Sequence, residues 1–460
     1  MSTKESIQGL TKRICEKIIA FQYDDFSDEL KKRSRQIFAD GIAVAVAGSF
    51  QEAPPKIMAE NAREMGGKEQ ASVIGLGFKT SMTQASMING GSMHVLDYEP
   101  MWNPPNHQLS TCLPAILAVA ENRGRSGKEV LTGLVKGVEM MCCMRAASNQ
   151  TNLNNVPFHP PGMVGPLGAT VGAAHVMGLD IDKLRYALGI VGSRCGSLMA
   201  NTGTHTKCLH CGQSSYVGLD SALLAEKGFT GNTDIFEAAN GYVVSFFGID
   251  DFNEEVLLSY GEKSRIVDPG YEVKPYPSNF ATHAPINAAL ELREKIDSIS
   301  NIERIVMVGV NLPYVNRPFP KTGLDGKFSV QYTAVRALID GKVTLDSFTD
   351  EARFAPEVDM LLNKLEFTMD PNIPAEIGKA NMYMTIHLKD GNALSTVGYA
   401  PRNNNFGKEP LPWEEHLAKL RSCFSTRLNP VKTERAIDLC ASIDSLRTEE
   451  FKELMDIIRC

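Results

Sequence analysis

Apolar side chains recur with the helical period along most of the first 260 residues, which restricts this half of the chain to a helical architecture. SDELKKRSRQIFADGIAVAVAG (27–48) starts at a possible N-cap, Ser27, and reaches a possible stop at Gly48. SGKE (126–129) has the spacing of a capping box. GPLGATVGAAHVMG (165–178) places glycine and alanine at short intervals, which permits close helix packing. We expect a helical bundle, with further helices near 162–178, 181–199, 212–227 and 233–247.

The pattern changes after residue 271, where short segments rich in β-branched and alternating residues begin. These strand candidates are RIVMVGVNL (304–312), KLEFTMD (364–370), MYMTIHLKDG (382–391) and ALSTVGYAP (393–401). Asp390 and Gly391 form a turn pair typical of a hairpin. After Pro412 the helical period returns. We therefore expect a mainly α protein with an inserted α+β domain, in which the helical domain comprises 1–271 and 401–460 and the smaller α+β domain comprises 272–400.

Charge and composition exclude several classes of partner. The 460 residues carry a formal net charge of −7, so the overall charge does not attract nucleic acid or an anionic membrane. The N-terminus has no apolar signal segment, and GIAVAVAGSF (41–50) is too short to span a bilayer. Ten cysteines without a regular framework favour reduced thiols. We expect a protein of the cytoplasm, or of an organelle matrix, that is not secreted and binds neither nucleic acid nor membrane.

HTKCLHCG (205–212) concentrates groups that bind ligands. Cys208 and Cys211 form one C-x-x-C pair, but a structural zinc site needs further ligands, and Lys207 would repel a cation. An ordinary packed loop with the thiols as small packing residues remains an alternative. The composition favours an anion pocket without a metal.

Three cationic or titratable side chains precede predicted helix starts. His107 comes just before a helix expected near Ser110, and His159 just before one expected near Gly162. Lys207 likewise precedes a helix expected at Gly212. Because unpaired N–H groups and the positive end of the dipole attract carboxylates, these side chains are candidates for one anion site. Taken alone, each histidine is more typical of an ordinary loop position than of a catalyst.

Other segments add polar candidates. KPYPSNFATH (274–283) carries Lys274 and His283, and LPYVNRPFP (312–320) carries Tyr314 and Arg317. Prolines hold these groups rigidly, either for binding or for packing between domains.

The familiar cofactor motifs are absent from the sequence. VIGLGFKT contains only G-x-G, GRSGKE lacks the phosphate-loop spacing, and no G-x-S-x-G motif occurs. Asp97 and Glu99 directly follow an apolar run, so one of these carboxylates is a candidate acid or base.

Four segments together resemble the MmgE/PrpD superfamily, whose members act on small polycarboxylates without a metal. The segments are HVLDYEPMWNPPNHQLSTCLPAILAVAE, FHPPGMVGPLGATVGAAHVMGLD, SLMANTGTHTKCLHCGQSSYVGLDSALLAEKGFTGN and KPYPSNFATH. The similarity extends from about residue 30 to about residue 400. FHPP, LMAN and YVNRPFP are most similar to the branch that decarboxylates cis-aconitate to itaconate.

The resemblance implies a helical domain, a lid domain, a homodimer, and a site without cofactor or metal. The family's polar site corresponds here to Asp97, His107, His159, Lys207, Lys274 and Tyr314. Together with the segments described above, we expect the catalytic residues to be Asp97, His107, His159, Lys207 and Tyr314, and the substrate-binding residues to be Lys274, Asn279, His210, Arg317 and Met101. Two positions depart from the decarboxylase pattern: Met101 stands where that branch has threonine, and Asn279 where it has histidine.

These observations predict a cofactor-independent lyase acting on a small di- or tricarboxylate. Decarboxylation of cis-aconitate is the first candidate. Dehydration of a 2-methylcitrate-like acid and epimerisation of a related dicarboxylate are the alternatives within the superfamily. A non-catalytic protein that binds a carboxylate metabolite is the alternative of another class, which the departures at Met101 and Asn279 keep open.

Overall fold

The structure is a computed structural model that describes residues 7–150, 156–402, 405–408 and 411–460. Its contacts divide the chain into two compact units. The first unit comprises residues 1–201, 205–273 and 411–460, and the second comprises 202–204 and 274–410.

Helices dominate the first unit. Its helices before residue 274 are α1 Leu10–Ala20, α2 Asp28–Gln51, α3 Ala53–Met65, α4 Met82–His94, α5 Leu109–Arg123, α6 Gly127–Ala147, α7 Pro160–Met177, α8 Ile181–Gly192, α9 Thr206–Glu226, α10 Tyr242–Phe246 and α11 Glu254–Leu258. Two short antiparallel pairs join β1 Ala71–Val73 to β2 Phe78–Thr80, and β3 Met101–Trp102 to β4 Tyr271–Glu272.

The second unit contains a four-stranded mixed sheet and short helices. The helices are α12 His283–Arg293, α13 Gly323–Gly326, α14 Val330–Asp340, α15 Asp350–Arg353 and α16 Pro356–Leu362. The strands are β5 Ile302–Val310, β6 Leu365–Asp370, β7 Asn381–Leu388 and β8 Ala393–Tyr399, in the order β6-β5-β7-β8. Strands β5 and β6 are parallel, and the other pairs are antiparallel. The predicted hairpin at Asp390-Gly391 is confirmed as the turn between β7 and β8.

The remaining helices, α17 Trp413–Phe424, α18 Pro430–Ala441 and α19 Thr448–Arg459, return to the first unit. A mainly α protein with an additional part that mixes helices and strands is therefore confirmed. The exact domain boundaries and the lid role remain predictions.

Two predicted helix starts are confirmed by their caps. The Ser27 hydroxyl accepts a hydrogen bond from the backbone N–H of Leu30, 3.2 Å away. At α6, Ser126 and Glu129 form the reciprocal capping box. These bonds satisfy backbone N–H groups that a first helical turn leaves unpaired.

Gly48 was predicted to end α2, but the helix continues to Gln51. A Cβ at residue 48 would lie 2.0 Å from the carbonyl oxygen of Ser92. The glycine therefore serves the close packing of α2 against α4 and is not a stop signal.

The helix predicted from residue 212 also begins elsewhere, because α9 starts at Thr206 and Lys207 lies in its first turn. Gly212 was mistaken for a start, although a Cβ there would lie 2.2 Å from the carbonyl oxygen of Met87. HTKCLHCG is therefore helical from Thr206 onward and is not a loop.

Two other helices are shorter than predicted. Helix α8 was predicted to reach residue 199 but ends at Gly192. The segment GSRCG (192–196) brings two glycines, which are poor helix formers, close together. Within 233–247 only Tyr242–Phe246 is helical, because the chain turns at Gly241. There the N–H of Tyr242 donates back to the carbonyl of Ile235.

Across the described part of the chain, no helix combines the length and apolarity needed to cross a membrane. All ten cysteines are free thiols, as expected.

Candidate active site

The first unit brings four histidines together beside the N-termini of three helices. His94 ends α4, His107 lies two residues before α5, His159 caps α7, and His210 lies in the second turn of α9. All four side chains are buried. We call these four residues the histidine cluster. Its ring centroids are 4.3 Å apart for His94 and His107, and 5.3 Å apart for His159 and His210.

Glycines allow the helices that carry this cluster to approach one another. A Cβ at Gly90 of α4 would lie 2.8 Å from the Cα of Gly212 in α9. It would also lie 2.7 Å from the carbonyl oxygen of Ser110 in α5. The end of α4 therefore meets the starts of α5 and α9 at backbone distance, which places His94 beside Lys207.

Lys207 is the positive charge at the centre of the site. Its ammonium Nζ donates to Asp97 Oδ2 at 2.8 Å and contacts His94 Nε2 at 3.0 Å. Asp97 is buried and has a left-handed backbone, with φ of 49°, a conformation that aspartate adopts more readily than most residues. Its N–H closes the turn onto the carbonyl of His94 at 2.8 Å. The turn after α4 therefore sets Asp97 against the first turn of α9.

Glu99 is a second buried carboxylate, and it lies behind the histidines. Its Oε1 is 2.7 Å from His94 Nδ1, and it accepts the Ser110 hydroxyl at 2.7 Å. Its Oε2 accepts the backbone N–H of Ser110 at 2.9 Å. His107 Nδ1 is 3.4 Å from Oε1, which is longer than an ordinary hydrogen bond. Glu99 thus binds the N-terminus of α5, where a negative charge is favoured.

The other two predicted histidines contact each other. His210 Nδ1 and His159 Nδ1 are 3.2 Å apart, so one of these nitrogens donates and the other accepts. His107 Nε2 lies 4.0 Å from Asp97 Oδ1. The first unit therefore brings together five of the expected site residues: Asp97, His107, His159, Lys207 and His210.

Burial keeps the histidines neutral. Burial, and then the nearby Lys207 ammonium, lowers the pKa of His94 to about 3. Burial likewise lowers the pKa of His107, and with Lys207 it holds the pKa of His159 well below its usual value. For Glu99, burial alone would raise the pKa, but contacts from His107 and His94 hold it below its usual range. The site therefore combines neutral imidazoles, which can accept protons, with an ammonium that attracts anions.

Two sets of described residues have ligand atoms close enough together for a metal ion. They are His94, His107 and His159, and His94, Glu99 and Cys211, each set within 4.8 Å. The Lys207 ammonium already contacts His94 Nε2, and a second cation at that nitrogen would be repelled. Burial also raises the pKa of Cys208 to about 12 and that of Cys211 well above its usual value, which disfavours the thiolate forms that bind metals. The expectation of a metal-free site remains a prediction.

The second unit holds four of the predicted substrate-contacting residues. Lys274 is fully buried and donates to the carbonyl of Ser278 at 3.3 Å. Asn279 accepts from the N–H of Ala281 at 3.1 Å. Arg317 pairs with Asp325 and donates to the carbonyl of Tyr314 at 2.9 Å. Their part in a shared site remains a prediction. Met101, in the first unit, is buried in β3.

Sequence reasoning missed His94 and gave Glu99 no defined role. The available signal was the spacing HVLDYE, which places a histidine three residues before Asp97 and five before Glu99. Because spacing does not reveal how the chain turns after α4, it could not show that Glu99 and Lys207 meet opposite nitrogens of the His94 ring.

Comparisons with known proteins match this chain over most of its length. A model described as the MmgE/PrpD N-terminal domain matches residues 12–255, and one described as the MmgE/PrpD C-terminal domain matches residues 276–444. A Mus musculus protein named cis-aconitate decarboxylase is 27% identical, across 96% of this chain and 92% of its own. The Aspergillus terreus protein of that name is 24% identical, across 98% and 96%. The 2-methylcitrate dehydratase of Salmonella typhimurium is 24% identical, across 84% of each chain.

Proposed function

Because the chain belongs to the MmgE/PrpD family, whose relatives named above are lyases, we propose that it is a cofactor-independent lyase acting on a small di- or tricarboxylate. Decarboxylation of cis-aconitate to itaconate is the leading candidate reaction. The observation that carries the proposal is the buried Lys207 ammonium, held by Asp97 and His94 within a cluster of neutral histidines. The roles given below to individual residues belong to this proposal.

The chemistry explains why this arrangement suits such a reaction. When a β,γ-unsaturated acid loses CO2, the electrons of the broken C–C bond form a new double bond. The electrons of the old double bond move toward a neighbouring carboxylate as an enediolate, which then takes a proton on carbon. Lys207 stabilises the developing negative charge, as fixed cationic groups do in buried sites. Besides burial, the positive charge of the Lys207 ammonium lowers the pKa of His94, His107 and His159.

Dehydration of a 2-methylcitrate-like acid is the second candidate. It begins with removal of a proton beside a carboxylate, for which a neutral imidazole such as that of His107 or His159 is the suitable base. Met101 leaves this alternative open, because its buried thioether stands where the decarboxylase pattern has a hydroxyl. Epimerisation, which needs the same proton removal, is the third candidate. A carboxylate sensor would bind these ligands and gain thermal stability without consuming them.

The direct experiment offers cis-aconitate and then 2-methylcitrate to the purified protein in the presence of a chelator. NMR follows the loss of CO2 or of water. We expect turnover of at least one substrate and no effect of the chelator. Activity that disappears with chelator and returns with zinc would contradict the cofactor-independent mechanism. Ligand-induced stabilisation without product would favour the sensor.

The Lys207→Met variant tests the residue on which the proposal depends. Methionine keeps most of the length of the lysine side chain but removes the charge, so kcat/KM should fall by roughly 100-fold or more. The matched control is Lys136→Met, which alters another buried lysine of the same unit, in α6, and should leave kcat/KM near the wild-type value. Near-normal turnover by Lys207→Met would exclude a role for this ammonium in the reaction.

We also propose that the protein forms a homodimer, as the family resemblance implies; its mass in solution tests this. Participation of Lys274, Asn279, Tyr314 and Arg317 in binding the substrate belongs to the same proposal.

A further inference from the structure

Glu99 is surrounded by donors of different kinds. The backbone N–H of Ser110 points to Oε2, while the Ser110 hydroxyl and His94 Nδ1 meet Oε1. A backbone N–H can only donate, whereas a hydroxyl and an imidazole nitrogen can each donate or accept. The Ser110 N–H therefore requires the atom at the Oε2 position to be an acceptor, regardless of the other partners.

The opposite side of His94 faces an equally fixed partner. Lys207 Nζ lies 3.0 Å from His94 Nε2 and 2.8 Å from Asp97 Oδ2. An ammonium can only donate, so Nε2 must carry the lone pair that accepts its proton. The ring proton is then on Nδ1, where Glu99 Oε1 accepts it at 2.7 Å. The partners of the two ring nitrogens therefore define the tautomer.

We propose that Glu99 is a positioning residue that holds His94 in the Nδ1–H tautomer, so that Nε2 accepts from Lys207 and fixes the direction of its ammonium. The predicted consequence for turnover rests on the proposed function, whereas the tautomer does not. A carboxylate that orients an imidazole and fixes its tautomer is a recurrent way of preparing a neighbouring group for reaction.

Glu99→Gln tests the proposal with almost no change in volume. Glutamine offers one acceptor oxygen, and the fixed Ser110 N–H claims it, so the amide NH2 group turns toward His94 Nδ1. That nitrogen must then accept, which moves the ring proton to Nε2 and drives the Lys207 ammonium, itself only a donor, away from the ring. We expect the tautomer to switch and kcat/KM to fall roughly 10- to 100-fold.

The tautomer is read by 15N NMR on protein labelled at the histidine nitrogens, with the His94 signals assigned by their loss in His94→Gln. Ser110→Ala is the matched control, because it removes one buried hydrogen bond to Glu99 but retains the backbone donor and both carboxylate oxygens. We expect Ser110→Ala to keep the Nδ1–H form.

Three results would overturn the proposal. They are an Nε2–H form in the wild type, a Glu99→Gln variant that loses activity but keeps the Nδ1–H form, and a variant that switches tautomer with unchanged kcat/KM. If the wild type turns over no polycarboxylate, the proposed function fails, and the NMR result still decides whether Glu99 sets the tautomer.

Discussion

At the scale of single residues, His159 shows how burial links the site to stability. Its imidazole is buried at the start of α7, 3.2 Å from His210. Burial and the Lys207 ammonium hold its pKa well below the usual value of about 6.5. An unfolded chain therefore binds a proton at mildly acidic pH that the folded chain does not bind. The free energy of unfolding must then fall as the pH drops below about 6.5.

We predict that His159→Gln weakens this pH dependence. Each histidine that protonates only on unfolding adds up to about 1.4 kcal/mol per pH unit to the slope of the unfolding free energy against pH. This contribution applies below the pKa of the unfolded chain. Urea unfolding between pH 7.5 and pH 5.5 should give a shallower slope for the variant than for the wild type. His205→Gln, at an exposed position beside α9, should retain the wild-type slope. An unchanged slope in His159→Gln would mean that this imidazole is already protonated when folded.

The sequence identified much of this site because its residues lie at helix starts. His107, His159 and Lys207 each occupy such a position, and the family resemblance chose Asp97 from the two candidate carboxylates. His94 lies at the end of a helix, where no N-terminal signal marks it. The direction in which the chain turns decides that Asp97 meets Lys207 and that Glu99 meets the His94 ring. Such differences depend on backbone dihedrals, here a positive φ at Asp97, which residue spacing does not determine.

At the scale of helices, glycine decides how closely α4, α5 and α9 approach. The sequence predicted close packing correctly from the short glycine and alanine intervals. It misread Gly48 as a helix end and Gly212 as a helix start, because glycine serves turns and close contacts alike. The neighbouring backbone that distinguishes these uses comes from another helix and is not visible in the local sequence.

Gly212→Ala is predicted to disturb both stability and the site. The new Cβ would lie 2.2 Å from the carbonyl oxygen of Met87, and backbone cannot move aside as a side-chain tip does. We expect a loss of about 1–3 kcal/mol in the free energy of unfolding and a lower kcat/KM, since α9 carries Lys207. Gly196→Ala is the control, because a Cβ there meets no atom within 4 Å. Equal behaviour of the two variants would contradict the close-approach explanation.

At the scale of the whole molecule, a buried ionic group connects the two ends of the first unit. Asp40 of α2 accepts from His416 Nε2 at 2.9 Å and from Lys419 Nζ at 3.0 Å, both in α17. Lys419 also donates to the carbonyl of Tyr98 at 2.8 Å. Tyr98 lies between Asp97 and Glu99, so α17 holds the turn that carries both carboxylates of the site.

We predict that Lys419→Met destabilises the protein by about 3 kcal/mol or more, because it leaves a buried carboxylate with one partner fewer. Urea unfolding measures the loss, and kcat/KM should fall as the turn at Tyr98 loosens. Arg435→Met, which breaks an ion pair with Glu453 on the surface, should hardly shift the unfolding midpoint. A similarly small effect of Lys419→Met would mean that water replaces its ammonium without cost.

The ionic group at Asp40 also has a consequence for synthesis on the ribosome. Asp40 precedes its partner His416 by 376 residues, so the emerging chain must keep this carboxylate hydrated until the segment that carries His416 has been made. The turn at Tyr98 cannot gain its last anchor before then. The turn that carries the two carboxylates of the candidate site therefore gains this support only after α17 has left the exit tunnel.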